Sequence, residues 1–316
     1  MEKHLLAEAK AFDSRISERV KMGFIPDLRK IVKCDYFYKS FWRDPLFVDL
    51  YLGEINKNYL EMLDKHSFKG CRILDVGCGA GYMSLELARN GYDVHAIDIS
   101  QKCIEEARKV LEQNEYTEGF GKLKYEVCSL EDVVGEFDVI LFSVSLHHML
   151  DLNKTIKKCK SILKKNGGLM CYEPCHDLWH KSDASIVALI RSILSITGHW
   201  YDPKEFYETN FNVDKFNSLI DDIHFEFVEE QDKNETGQSP NDNESSGKDM
   251  IEALEKNFDK IEFFKGHSFI YRLLGGIRGT DQEIKELALL ISNFDKLSVK
   301  KNYMNSNGFY FYGKNR

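Results

Sequence analysis

The sequence predicts an α/β fold, a mostly parallel sheet with helices on both faces. Three observations carry this. Between Arg72 and Tyr172, short apolar runs alternate with stretches in which apolar residues recur at helical spacing. The short runs are apolar almost throughout, as strands buried on both faces must be. A turn with glycines at 77, 79 and 81 joins the first run to the first helix of the alternation.

The elements follow in order. Arg72–Val76 is the first strand. Tyr82–Arg89 is a helix with Met83, Leu87 and Ala88 on one face, and Asn90-Gly91 stops it. Asp93–Ile99 is the second strand. Ser100 is placed to cap the next helix, whose stripe is Ile104, Ala107 and Leu111. Strands are expected at Leu123–Cys128, Asp138–Phe142 and Gly168–Tyr172, with a helix carrying Ile156, Cys159 and Leu163 before the last. Together these make a core over residues 70–174.

The flanks differ. Residues 1–69 read as a helical extension: Phe12, Ile16 and Val20 keep helical spacing, as do Phe47, Tyr51 and Ile55, with Pro26 and Pro45 as punctuation. Tyr36, Tyr38, Phe41 and Trp42 crowd the stretch between. They either fix the extension to the core or, through Tyr38 and Trp42, wall a substrate pocket. Residues 175–257 form a helix-rich addition with Trp179, Ile186, Leu189, Ile193 and Trp200, expected to fold over the core as a substrate lid with the extension. Within it, 229–248 is acidic and polar and reads as a solvated loop. Ser246 to Asp249 is a capping box for a helix from Met250. Residues 258–316 supply two closing strands, Ile261–Phe264 and Phe309–Tyr312, with a helix around Glu283–Leu290 between them.

Composition narrows the partners. The 316 residues are 43% apolar, enough for a core domain with a substantial addition. The net charge of −8 argues against a nucleic-acid partner, which needs a concentrated basic surface. No apolar run nears the roughly 18 residues of a membrane span, and MEKHLLAEAK has no secretory h-region. The eight cysteines are scattered without a disulfide framework, so a cytoplasmic protein with reduced thiols is expected. The lysines at 154, 157, 158, 164 and 165 read as a solvated helix face. The oligomeric state is left open.

The glycine turn carries the chemistry. Glycines let the backbone turn tightly and approach a ligand closely, and the helix that follows offers unpaired N–H groups. A dinucleotide fingerprint, G-x-G-x-x-G, would place its third glycine at residue 82, which is Tyr82. Asp75, two residues before Gly77, would repel a pyrophosphate but suits the ammonium of an amino-acid ligand. Asp98, at the end of the second strand, is placed to accept both hydroxyls of a ribose. The pair fits a ligand with a cationic amino-acid end and a ribose.

The stretch ILDVGCGAGYMSLELARNGYDVHAIDIS closely resembles the first two motifs of class I (Rossmann-like) S-adenosylmethionine-dependent methyltransferases. The resemblance continues through FDVILFSVSLHHML and LKKNGGLMCYEP, about 100 residues in all from Gly70 to Pro174. It implies S-adenosylmethionine as cofactor and S-adenosylhomocysteine as product. Asp75, Gly77, Cys78, Gly79 and Gly81 would cradle the methionine half, with Ser143 nearby. Asp98 would hold the ribose, Ile99 would pack on the adenine, and Ser129 and Leu130 would meet its edge. Many relatives carry Asp where Ser129 stands, which puts that contact in doubt.

Methyl transfer to a hydroxyl or an amine requires loss of a proton, whereas a carboxylate needs no base. His147 and His148 follow the fourth strand, where catalytic groups often lie in this family. His147 is the candidate base, and His148 is expected to stabilise its own loop. Cys175, His176 and His180 lack a convincing fourth ligand, so no metal is expected there; His176 and His180 are placed in the substrate pocket instead. The reading is O-methylation of a small natural product or a peptide carboxylate. N-methylation of a small molecule and a catalytically degenerate cofactor-binding scaffold or sensor are the rivals. An NAD enzyme is disfavoured by Tyr82 and Asp75.

Overall fold

The computed structural model describes residues 3–34, 40–202, 212–228, 239–242 and 244–315. Its centre is a seven-stranded sheet in the order β3-β2-β1-β4-β5-β7-β6. The strands are β1 (Arg72–Val76), β2 (Asp93–Asp98), β3 (Lys122–Val127), β4 (Phe137–Ser143), β5 (Leu163–Pro174), β6 (Phe258–Lys265) and β7 (Gly308–Asn315). The first five are parallel; β7 runs antiparallel between β5 and β6. The chain reverses its direction of winding between β1 and β4, which pair from Ile73↔Val139 to Val76↔Phe142. At such a switch point the carboxyl ends of the strands leave a crevice, the usual ligand site of a parallel sheet.

Each central strand is apolar on both faces for a packing reason. Ile73, Val139 and Leu141 face one layer, and Leu74, Ile140 and Phe142 the other. The first layer includes α2 (Glu54–His66), α3 (Tyr82–Arg89) and α4 (Gln101–Glu112), contributing Tyr59, Leu87 and Ile104. The second is built by α5 (Leu152–Ile162) and α8 (Gly247–Asn257), through Ile156, Met250 and Leu254. Leu163, expected on α5, is instead the first residue of β5. A third apolar cluster joins Phe47 to α6 (Lys181–Ile196), α7 (Val213–Val228) and α9 (Asp281–Lys300) around Trp179 and Trp200. The helix expected around Glu283–Leu290 is thus a 20-residue helix.

The caps form where the sequence places them. Ser100 accepts from Cys103 N at 3.1 Å, and Ser246 accepts from Asp249 N at 3.1 Å. The N-terminal helix α1 (Lys3–Lys21) is tied to the sheet by Asp13, which accepts from Ser100 Oγ at 2.6 Å and Lys102 N at 2.9 Å. Asp27 and Arg89 form a bidentate buried pair at 2.7 and 2.8 Å, with Glu86 2.6 Å from the same guanidinium. That pair fastens the extension to α3. The eight cysteines are free thiols. Among the described residues no helix is long and apolar enough to cross a membrane.

Candidate active site

A cavity of about 680 Å³ opens at the carboxyl ends of β1, β2 and β4, at the switch point. The turn after β1 explains its floor. Gly77, Gly79 and Gly81 have φ of +70°, +54° and +81°, a region that costs other residues strain. Gly77 N and Cys78 N both donate to Ile97 O, at 2.9 and 3.0 Å, which pins the turn against β2. A Cβ at Gly79 would meet nothing within 4 Å, so the turn is open there. A Cβ at Gly81 would lie 2.5 Å from the Tyr125 hydroxyl. Gly81 does not line the cavity: it starts α3 and gives up its side chain to Tyr125.

Two aspartates face the cavity from neighbouring strand ends. Asp75 is 1% exposed, and Ser84 Oγ donates to its Oδ2 at 2.5 Å. Its Oδ1 is buried with no hydrogen-bond partner. Burial pushes the Asp75 carboxyl up to about 7, with the Ser84 hydrogen bond opposing and the Asp98 charge adding. Asp98 accepts from Gly79 N and Ser100 N, both at 2.8 Å. Its carboxyl is also raised, burial outweighing those two hydrogen bonds. A buried carboxylate oxygen without a donor, beside an open glycine turn, is what an ammonium group would complete.

The cavity gathers most of the residues the sequence singled out. Asp75, Gly77, Cys78, Gly79, Asp98, Ile99, Ser129, Leu130, Ser143, Trp42, His147 and His148 all line it. Tyr38 lies outside the described residues. His176 and His180 are not among the lining residues. His176 Nδ1 bonds Asn307 Oδ1, and the exposed His180 starts α6, where its N–H donates to Asp183 Oδ2 at 2.8 Å. Both bond within the turn between β5 and α6 and neither lines this cavity.

The histidine pair is held by acids that sequence reading gave no role. His147 is buried; its Nδ1 lies 2.8 Å from Glu173 Oε2, and its Nε2 3.9 Å from Asp242 Oδ1. Glu173, wholly buried at the end of β5, also accepts from Ser145 N and Leu146 N at 2.9 Å each. It therefore fixes the whole turn after β4. His148 packs 4.1 Å from the His147 ring, centroid to centroid, and its Nδ1 is 3.2 Å from Glu8 Oε1. Burial alone would lower the His148 pKa, but the Glu8 hydrogen bond and the charges of Asp242, Glu8 and Glu173 raise it. The Glu8 carboxyl is lowered: burial opposes, and bonds from His148, Ser239 and Asn241 N prevail.

Glu8 belongs to α1, whose Phe12, Arg15, Ile16 and Arg19 wall the cavity at the same helical spacing. The Phe12-Ile16 stripe announced this face, but nothing marked Glu8. Across from it lies the segment expected to be a solvated loop. Its residues 229–238 and 243 are outside the described set. Ser239, Asn241, Asp242 and Ser245 are buried, which corrects that expectation. Ser239 Oγ and Asn241 N donate to Glu8 at 2.6 and 3.0 Å, and Ser245 N donates to His147 O at 3.1 Å. Polarity here serves internal hydrogen bonds. Among the described residues, α1 and Asn241 line this side of the cavity, and no residue of α6 or α7 lines it.

Strand order, glycine turn and paired aspartates define a class I methyltransferase fold. Residues 67–216, just under half of the chain, match the family model described as a methyltransferase domain. The chain is similar to ubiquinone biosynthesis O-methyltransferases. The Bordetella avium protein is 31% identical over 40% of this chain and 53% of its own length. The Xylella fastidiosa protein is 34% identical over 42% and 54%. The chain thus spans about half the length of these relatives. Two solved structures share the fold. One is magnesium protoporphyrin IX methyltransferase from Synechocystis PCC 6803 with bound S-adenosylhomocysteine, 15% identical, covering 85% of this chain and 95% of that one at a TM-score of 0.52. The other is the 4+2 cyclase SpnF, 11% identical, covering 98% and 94% at 0.52.

Proposed function

We propose that the protein transfers the methyl group of S-adenosylmethionine to a hydroxyl oxygen of a small molecule. One observation carries this reading: the unpartnered buried oxygen of Asp75, the Asp98 carboxylate and the histidine pair all face one cavity. Asp75 would take the ligand's ammonium and Asp98 its ribose hydroxyls, using lone pairs left beside the two backbone donors. Cys78 and Gly79 would follow the methionine chain, and Ile99, Ser129 and Leu130 the adenine. The cofactor supplies an activated methyl group; the protein's part is orientation, exclusion of water and handling of the acceptor's proton.

A hydroxyl fits better than a carboxylate. Glu8, Glu173 and Asp242 lie against the histidines, so an anion brought to the histidine end would meet carboxylates, while Arg15 and Arg19 line the α1 wall. A hydroxyl must also lose its proton, and a histidine whose Nδ1 is engaged by Glu173 has Nε2 left for the acceptor side. The relatives' name, O-methyltransferase, points the same way. Fold alone would not assign the chemistry, since a protein named a cyclase shares it.

Calorimetric titration of S-adenosylmethionine and S-adenosylhomocysteine tests the cofactor. Asp98→Ala should weaken both at least tenfold, because charge-assisted hydrogen bonds of roughly 1.5–3 kcal/mol are lost. His147→Ala should keep that affinity and lower turnover on hydroxylated metabolites. Unchanged affinity in the first variant would remove the ribose from Asp98. Intact turnover in the second would mean that the proton is handled elsewhere.

A further inference from the structure

The histidine pair has more ligands around it than a general base needs. One ligand atom each of His147, His148 and Asp242 lies within 4.8 Å of those of the other two. His147 Nδ1 is engaged by Glu173 at 2.8 Å and His148 Nδ1 by Glu8 at 3.2 Å. A carboxylate on one imidazole nitrogen fixes the tautomer and leaves the other nitrogen as a lone pair, the arrangement that orients metal-binding histidines. Here it occurs twice, side by side. Glu173, Glu8 and Asp242, all buried, lie against the two imidazoles.

We propose that His147, His148 and Asp242 form a binding site for a divalent transition-metal cation, with Glu173 and Glu8 orienting the two histidines. Two imidazoles and one carboxylate suit Zn²⁺ or Co²⁺ over Mg²⁺, which prefers oxygen ligands. The proposal rests on the methyltransferase reading for its purpose. A cation there would take the His147 Nε2 lone pair and replace its role as base: it would lower the pKa of an acceptor hydroxyl bound to it, whose proton would pass to water or buffer. Asp242 comes from the segment 239–242, which Glu8 of α1 holds through Ser239 and Asn241 N.

The test is a titration of Co²⁺ into the chelator-stripped full chain, read by visible absorption, with Zn²⁺ competition by calorimetry. One equivalent should bind, with nitrogen–oxygen ligation bands and no thiolate charge-transfer band. Asp242→Asn and His147→Gln should each weaken Co²⁺ at least tenfold; Glu8→Gln should weaken it less, by acting through His148. His176→Gln, outside the cavity, should change nothing. Each variant is checked for an unchanged melting curve and for S-adenosylmethionine affinity. Loss of Co²⁺ with cofactor affinity retained supports the site. No stoichiometric Co²⁺ in the parent chain, a thiolate spectrum, or equal affinity in Asp242→Asn and His147→Gln would overturn it and leave the methyltransferase reading standing. Failure of the cofactor titration alone would overturn that reading and leave the metal site.

Discussion

At the scale of single residues, Asp75 has the most to lose from acid. Its carboxyl titrates at about 7 in the free protein because it is buried beside Asp98 with only Ser84 as donor. The ionised form is the one that pairs with a ligand ammonium. Below about pH 7, binding must first remove a proton, so the dissociation constant for S-adenosylmethionine should rise toward about tenfold per pH unit. Above that pH it should be flat until the ligand's own amine titrates, near pH 8. Calorimetry from pH 5.5 to 8 checks this. Asp75→Asn should bind more weakly and lose the slope below pH 7; a parent chain without that slope would place the ammonium away from Asp75.

At the scale of elements, α1 acts as a cover held by few attachments. Asp13 accepts from Ser100 Oγ and from Lys102 N, so one side chain joins α1 to the first turn of α4. Asp13→Ala should loosen α1 without disturbing the sheet. Hydrogen exchange should rise several-fold in residues 3–21 and stay unchanged in β1 and β4, and bound S-adenosylmethionine should dissociate faster. Equal exchange in α1 would show that Phe12, Ile16 and the Glu8 network hold it unaided. What was legible in the sequence follows the same division. The seven strands, the Ser100 and Ser246 caps and the Asp75–Asp98 pair depend on local periodicity and on residues close in the chain. Glu8, Glu173 and Asp242 were not legible as a group, because they meet from three elements up to 234 residues apart. Burial of 239–242 was hidden by its polar composition, which is directed at Glu8 and the turn after β4. Val144 gave no signal either. It holds φ of +56° at the end of β4, a strained setting for a β-branched residue, and that strain helps aim the turn carrying the histidines.

At the scale of the whole molecule, the extension and the core should behave as one cooperative unit. The reason is the ionic knot where they meet. Asp27 of the extension is fully buried, and Arg89 of α3 is 1% exposed on its side chain. Glu86 accepts from Arg89 and from Arg29, and both guanidinium groups lie 4.7 Å from the Tyr116 ring. Such a pair adds little over an apolar contact of the same shape, and removing Asp27 leaves Arg89 still paired with Glu86, so the cost falls below the about 3–5 kcal/mol of a wholly stranded charge. Asp27→Ala should therefore lower the melting temperature by about 5–10 °C. The Asp27 carboxyl is itself lowered: burial opposes, and the Arg89 and Arg29 N bonds prevail. A depressed folded-state value means that this stabilisation is complete above the ordinary aspartate range and is lost as pH falls through the lower, folded value. The melting difference between parent and Asp27→Ala should then be constant near neutrality and shrink below about pH 4. A single transition in the parent that splits in two in the variant would show that the knot alone couples extension to core. A single transition in both, lowered in the variant, would mean that the packing of Trp42 on Phe24 and Tyr82 couples them as well.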